Sequence, residues 1–155
     1  MSADWQIISD DLRGPEIRAL LQQHFAAMLA NSPAGSCHFL DFDGLTADGV
    51  NFWSIWISGE LAGCGALKRI GPDHGEIKSM RVADAFRGRG AGYAMLQHIA
   101  AEARARGLST LSLETGSGPA FADAANLYRR AGFRECPPFA DYRPDPFSKF
   151  MTITL

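Results

Sequence analysis

The six residues Arg87-Gly88-Arg89-Gly90-Ala91-Gly92 put three glycines and two arginines directly ahead of an apolar repeat of helical period. Amide hydrogens left unpaired at a helix start, together with the positive end of the helix dipole, attract an anion. Glycine lets the backbone approach a phosphate closely, and Arg87 and Arg89 add charge. The spacing is wrong for a P-loop, because no lysine followed by Ser or Thr comes after the last glycine. It also departs from a dinucleotide loop, because Tyr93 stands where a third glycine is needed. By itself the segment fits a phosphorylated small ligand and, nearly as well, a helix start that merely needs glycine.

Acid–base candidates are spread more widely. Glu76 and Lys78 share one face of a strand by the period of two, so Glu76 reads either as a base or as half of an ion pair. Glu114 closes another strand just before Thr115-Gly116, where ligand contacts gather in sheets with parallel strands. Tyr128 lies on an amphipathic helix, His24 within an apolar helical stripe, and His38 in a loop. No His, Cys, Asp or Glu companions stand at metal-ligand spacing, so no metal is expected. Cys37, Cys64 and Cys136 are odd in number and far apart, which argues against a disulfide framework and suits a reducing, cytoplasmic setting.

These residues need a packed scaffold. The 155 residues suit one domain over 1–155, since a chain of this size buries roughly 70% of its unfolded surface. A hydrophobic fraction of 46% is too high for disorder. A formal charge of -2 offers no field for nucleic acid, and no apolar run of membrane-spanning length occurs, so neither partner is expected.

Alternation predicts a weak strand at 5–9, and Pro15-Glu16 opens a helix whose apolar face carries Ile17, Leu20, Leu21, Phe25, Met28 and Leu29. After a loop or short irregular helix to Gly49, strands are expected at 50–57, 61–70 and 76–82, the first two joined by Ser58-Gly59-Glu60. Gly63 and Gly65 predict a bulge or a close backbone approach. A helix from the glycine loop to Gly107, a strand at 108–115, a helix at 121–131, a short extended piece at 133–136 and a strand at 148–155 complete the order. The fold class is α/β (α+β): a mixed, mostly antiparallel sheet of about six to seven strands flanked by about four helices.

Arg87, Gly90 and Gly92 match the Arg/Gln-x-x-Gly-x-Gly/Ala signature of the GCN5-related N-acetyltransferase (GNAT) superfamily, and Met80-Arg81-Val82 resembles the end of that family's fourth strand. Ala125-Asn126-Leu127-Tyr128-Arg129-Arg130-Ala131-Gly132-Phe133 resembles its fourth helix and the turn that follows. Segments such as Leu61-Ala62-Gly63-Cys64-Gly65-Ala66-Leu67 and Leu111-Ser112-Leu113-Glu114-Thr115-Gly116-Ser117 are similar to the bacterial YsnE-type acetyltransferases. The likeness runs from about Val50 to the end; Phe147 departs from it where a polar residue is expected, at the rim of the pocket.

The resemblance implies a GNAT fold and acetyl transfer from acetyl-CoA to the amine of a small molecule within a ternary complex. It assigns coenzyme A binding to Met80, Arg81, Val82, Arg87, Gly88, Arg89, Gly90, Ala91, Gly92, Tyr93, Asn126 and Tyr128, much of it through the main chain. Tyr128 is the expected general acid, with Glu76 slightly preferred to Glu114 as the base, acting through water. His38, Trp53, Lys78, Thr115, Phe139 and Tyr142 are expected around the acceptor, with Trp56 as a further aromatic wall. Cys64, inside a strand, is not expected to act as a nucleophile. A monomer or homodimer is expected; a non-catalytic acyl-CoA sensor and a peptide N-acetyltransferase are the rival functions.

Overall fold

The structure, a computed structural model, describes residues 4–155. Seven strands form one sheet in the order β1-β2-β3-β4-β5-β7-β6. They are β1 (Gln6–Ser9), β2 (Val50–Ile57), β3 (Glu60–Arg69), β4 (His74–Val82), β5 (Thr110–Gly116), β6 (Arg134–Glu135) and β7 (Ser148–Thr154). Every neighbouring pair is antiparallel except β4 and β5. The helices are α1 (Pro15–Asn31), α2 (Phe42–Leu45), α3 (Ala91–Ala105) and α4 (Ala122–Arg130). The expected sheet is therefore present. β4 begins at His74, two residues before the expected Glu76, and the long loop after α1 contains the four-residue α2, capped by Asp41 on the Gly44 amide.

Alternation along the strands divides the core between the two faces. Trp53, Ile55, Leu67, Ile77, Leu111 and Leu113 pack with Met95, Leu96 and Ile99 of α3 and with Tyr128 of α4. Phe52, Cys64 and Ala66 pack instead with Leu12, Ile17, Leu20, Leu21 and Leu45, on the side of α1 and α2. Leu29, expected on the apolar face of α1, is 62% exposed, because the helix runs past the end of the core that its first three turns cover.

Two interruptions shape the centre of the sheet. The parallel pairing of β4 with β5 covers only His74↔Thr110, Gly75↔Leu111 and Glu76↔Ser112. From Ile77 onward β4 has no strand on that side, and its edge opens into a cleft between the two strands. On its other side the register with β3 shifts between Cys64 and Ala66, and Ser79 takes a left-handed φ of 56°. This is the irregularity that Gly63 and Gly65 foreshadow. A Cβ at Gly63 would stand 2.6 Å from the Arg81 carbonyl oxygen, and one at Gly65 2.8 Å from the Met80 sulfur.

Candidate active site

The glycine loop enters α3 through Gly88 and Gly90, whose φ angles of 74° and 93° favour glycine. Nothing lies within 4 Å of a Cβ built at either residue, so the loop's side-chain directions are open. At Gly92 a Cβ would meet Leu127 at 2.9 Å, so this glycine lets α3 lie against α4. No acidic residue occupies the first turn of α3 to compete for its free amides. Arg87 is exposed and pairs with Asp84 at 3.1 Å, while Arg89 lies over the Phe86 ring at 5.2 Å. Tyr93 is on the exposed side of the first turn of α3, and Ala91 is buried. A diphosphate fits this arrangement of free amides and exposed cations.

Beside the open edge of β4 lies a cavity of about 150 Å³. Ile77 to Arg81, Glu114, Thr115 and Tyr128 line it, with His24 and Met28 from α1. A wider, more open cavity of about 700 Å³ adjoins it, with His38 and Lys78 forming part of both walls. Its lining includes Lys68, Glu76, Tyr142 and Arg143.

The two carboxylates differ sharply. Glu76 is 3% exposed, and its Oε2 is held by Lys78 Nζ at 3.4 Å and by the Tyr142 hydroxyl at 2.5 Å. Lys78 also donates to the Tyr142 oxygen at 2.8 Å and to the His38 carbonyl at 3.3 Å. The carboxylate thus ties the 136–147 loop to β4, which is the ion-pair reading of the Glu76–Lys78 spacing. Burial raises Glu114 to about 7; a Ser148 hydrogen bond and the Lys78 charge oppose the rise, and Glu76 and Asp145 add to it. A carboxyl group poised near neutral pH beside a cavity is suited to taking a proton. Tyr128 stays protonated well above its ordinary range, held there first by burial and then by the charge of Glu114.

Other expected residues are distributed as follows. Phe139 stands behind Tyr142, the ring centroids 5.1 Å apart, and Thr115 is buried in the smaller cavity's wall. Trp53 lies elsewhere: it is 3% exposed in the α3 core, edge-on to His98, on β2, which β3 separates from the open edge of β4. Trp56 donates its indole N–H to Ser54 at 2.8 Å. Asn126 is exposed on α4 and accepts from Arg129 at 3.4 Å. Burial raises the Cys64 thiol to about 12, which leaves it unreactive. Phe147 packs edge-on against Phe121, a residue of the smaller cavity's wall, and the pair closes over Gly116. Among the described residues no cluster of three or more His, Cys, Asp or Glu is arranged to hold a metal ion.

A sheet splayed at β4 and β5, a glycine-rich turn into α3 and a tyrosine on α4 facing the splay define the class of acyl-transferring enzymes. The chain belongs to the Acetyltransferase (GNAT) family, whose model matches residues 11–133. It is 48% identical over 146 residues to the uncharacterized N-acetyltransferase YsnE of Bacillus subtilis, spanning 94% of this chain and 97% of that one. A Klebsiella pneumoniae protein described as an acyl-CoA N-acyltransferase shares the fold with a TM-score of 0.81 and 30% identity, over 99% of both chains. A GNAT family acetyltransferase from Elizabethkingia anophelis, solved with acetyl-CoA bound, aligns with a TM-score of 0.69 at 18% identity, over 98% of this chain and 99% of that one.

Proposed function

We propose that residues 1–155 act as one catalytic domain that transfers the acetyl group of acetyl-CoA to the amine of a small molecule. The observation that carries this reading is the shared cavity of about 150 Å³, where Glu114, Tyr128 and the open edge of β4 meet. Beside it the main chain of Met80 to Val82 supplies the missing strand partner to the amide-rich arm of the donor. The amides of Gly88 to Gly92, with Arg87 and Arg89, hold the diphosphate, and Tyr93 and Asn126 flank it.

An amine arrives largely as the ammonium ion. Glu114 takes one proton, directly or through water, and the neutral nitrogen attacks the thioester carbonyl. A backbone N–H at the β4 bulge donates to the oxyanion. As the new C–N bond forms and the C–S bond breaks, Tyr128 gives its proton to the leaving sulfur. It recovers one from the amide nitrogen, so the products are an amide, a thiol and one proton left on Glu114.

Support for a small acceptor comes from the 136–147 loop, which Tyr142 ties down over the larger cavity through Lys78 and Glu76. A thiol-release screen against amines, amino acids and polyamines tests the activity. Tyr128→Phe is expected to keep acetyl-CoA affinity within about twofold and lower kcat by about 10²-fold, the low end for loss of a general acid. Calorimetry measures the first quantity and steady-state thiol release the second. A kcat equal to that of the unaltered protein would remove Tyr128 from the chemistry.

A further inference from the structure

Three residues that line the smaller cavity each carry a buried side-chain polar atom with no hydrogen-bond partner among the described residues: His24 Nδ1, Ser79 Oγ and Arg81 Nε. His24 is 7% exposed and comes from α1, while Ser79 and Arg81 come from the two sides of the bulge in β4. Leaving such groups unpaired is costly, and most of all for a guanidinium. Arg81 forms no ion pair among the described residues. Asp10, whose charge reaches Cys64 as that of Arg81 does, is taken up by Ser54 Oγ at 2.6 Å and the Leu12 amide at 2.8 Å. The Cys64 thiol itself remains neutral. Lys78, the other cation on the cavity wall, is committed to Glu76, Tyr142 and the His38 carbonyl. Unlike Lys78, Arg81 has its partner still to find.

The donors share a chemistry. The guanidinium and the hydroxyl each present a hydrogen, and a neutral imidazole presents a third in its Nδ1–H tautomer. Burial and the Arg81 charge keep His24 neutral, its pKa lowered to about 4, so the group adds a donor without a second positive charge. Two oxygens sharing one negative charge accept three such hydrogens.

We infer that the acceptor carries a carboxylate close to its amine, bound by His24, Ser79 and Arg81, so that the substrate class is an amino carboxylic acid. The inference rests on the acetyl-transfer reading for the identity of the ligand's other end. The carboxylate fixes the amine within reach of Glu114, and an amine without the carboxylate leaves the buried Arg81 Nε without a partner. Discrimination then follows from what the wrong ligand fails to satisfy.

Equilibrium calorimetry on the protein saturated with coenzyme A, titrated with glycine, β-alanine and phenylalanine and with the carboxamide of each, tests the inference. At least one acid is expected to bind about tenfold or more tightly than its carboxamide. Arg81→Gln is expected to bring that ratio to within about twofold, and Arg81→Lys to restore part of it, with melting scans showing that both variants are folded. Equal affinities of acid and carboxamide, no detectable binding of any of the three acids, or an unchanged ratio in folded Arg81→Gln would overturn the inference. Preferred binding of an acid with no acetylated product upholds the carboxylate subsite and removes the acetyl-transfer reading. Acetylation of amines with no preference for the acid does the reverse.

Discussion

Glu114→Gln is expected to lower kcat/KM by about 10³-fold, a loss typical of removing a well-placed general base. In the unaltered protein kcat/KM should climb with pH and level off above about 7, because the carboxyl must be ionised to accept a proton and burial holds it protonated below that pH. In the variant this limb should vanish. Stability should respond in the opposite sense. The folded pKa of Glu114 lies above the unfolded one, so folding binds a proton between them and stability falls as pH rises through that window. Glutamine removes the cost of ionising the buried group. The variant should therefore melt higher than the parent at pH 8 and close to it near pH 3, where glutamic acid is protonated in both states. Unchanged pH dependence of kcat/KM in the variant would exclude Glu114 as the base.

Gly90→Val should abolish measurable binding of acetyl-CoA while leaving most of the fold in place. A β-branched residue is strongly disfavoured at a φ of 93°. Nothing lies within 4 Å of the added Cβ, so the damage comes from the backbone's return toward negative φ, not from a clash with a neighbour. That return swings the amides away from their common direction. Losing two hydrogen bonds to a charged diphosphate, at about 1.5–3 kcal/mol each, corresponds to at least about 10²-fold in Kd. The cost to folding should be about 1–3 kcal/mol, since Gly90 lies at the exposed N-cap of α3. Calorimetry and thermal melts separate the two effects. Micromolar binding by the variant would move the diphosphate away from this loop.

The order of elements was readable because periodicity changes cleanly from two to 3.6 at the glycine loop. The β2–β3 hairpin could be anticipated from Ser58-Gly59 between two β-rich runs, and both glycines in β3 do meet a close backbone or side-chain neighbour. Which face each strand residue chooses was harder to see. Trp53 has the composition of a substrate wall, yet alternation along β2 sends it to α3. Glu76 and Glu114 look alike as letters; the difference between a tied carboxylate and one poised near 7 arises from Tyr142, 66 residues away in sequence from Glu76. His24 and Arg81 are separated by most of the first half of the chain, and only α1 folding onto the β4 bulge makes them neighbours. In the sequence His24 stood out only as a histidine on an otherwise apolar stripe, and Arg81 only as an expected contact to the donor.

The parting of β4 from β5 leaves main-chain donors and acceptors without mates in the middle of a sheet rather than at its margin. In the proposed complex the donor molecule fills that gap as a guest strand. Deuterium uptake at the amides of residues 78–82 should then slow markedly when acetyl-CoA is added, and the melting temperature should rise with the logarithm of its concentration. The enzyme would carry its second substrate as a removable piece of its own architecture, its rigidity tracking the supply of activated acetyl groups.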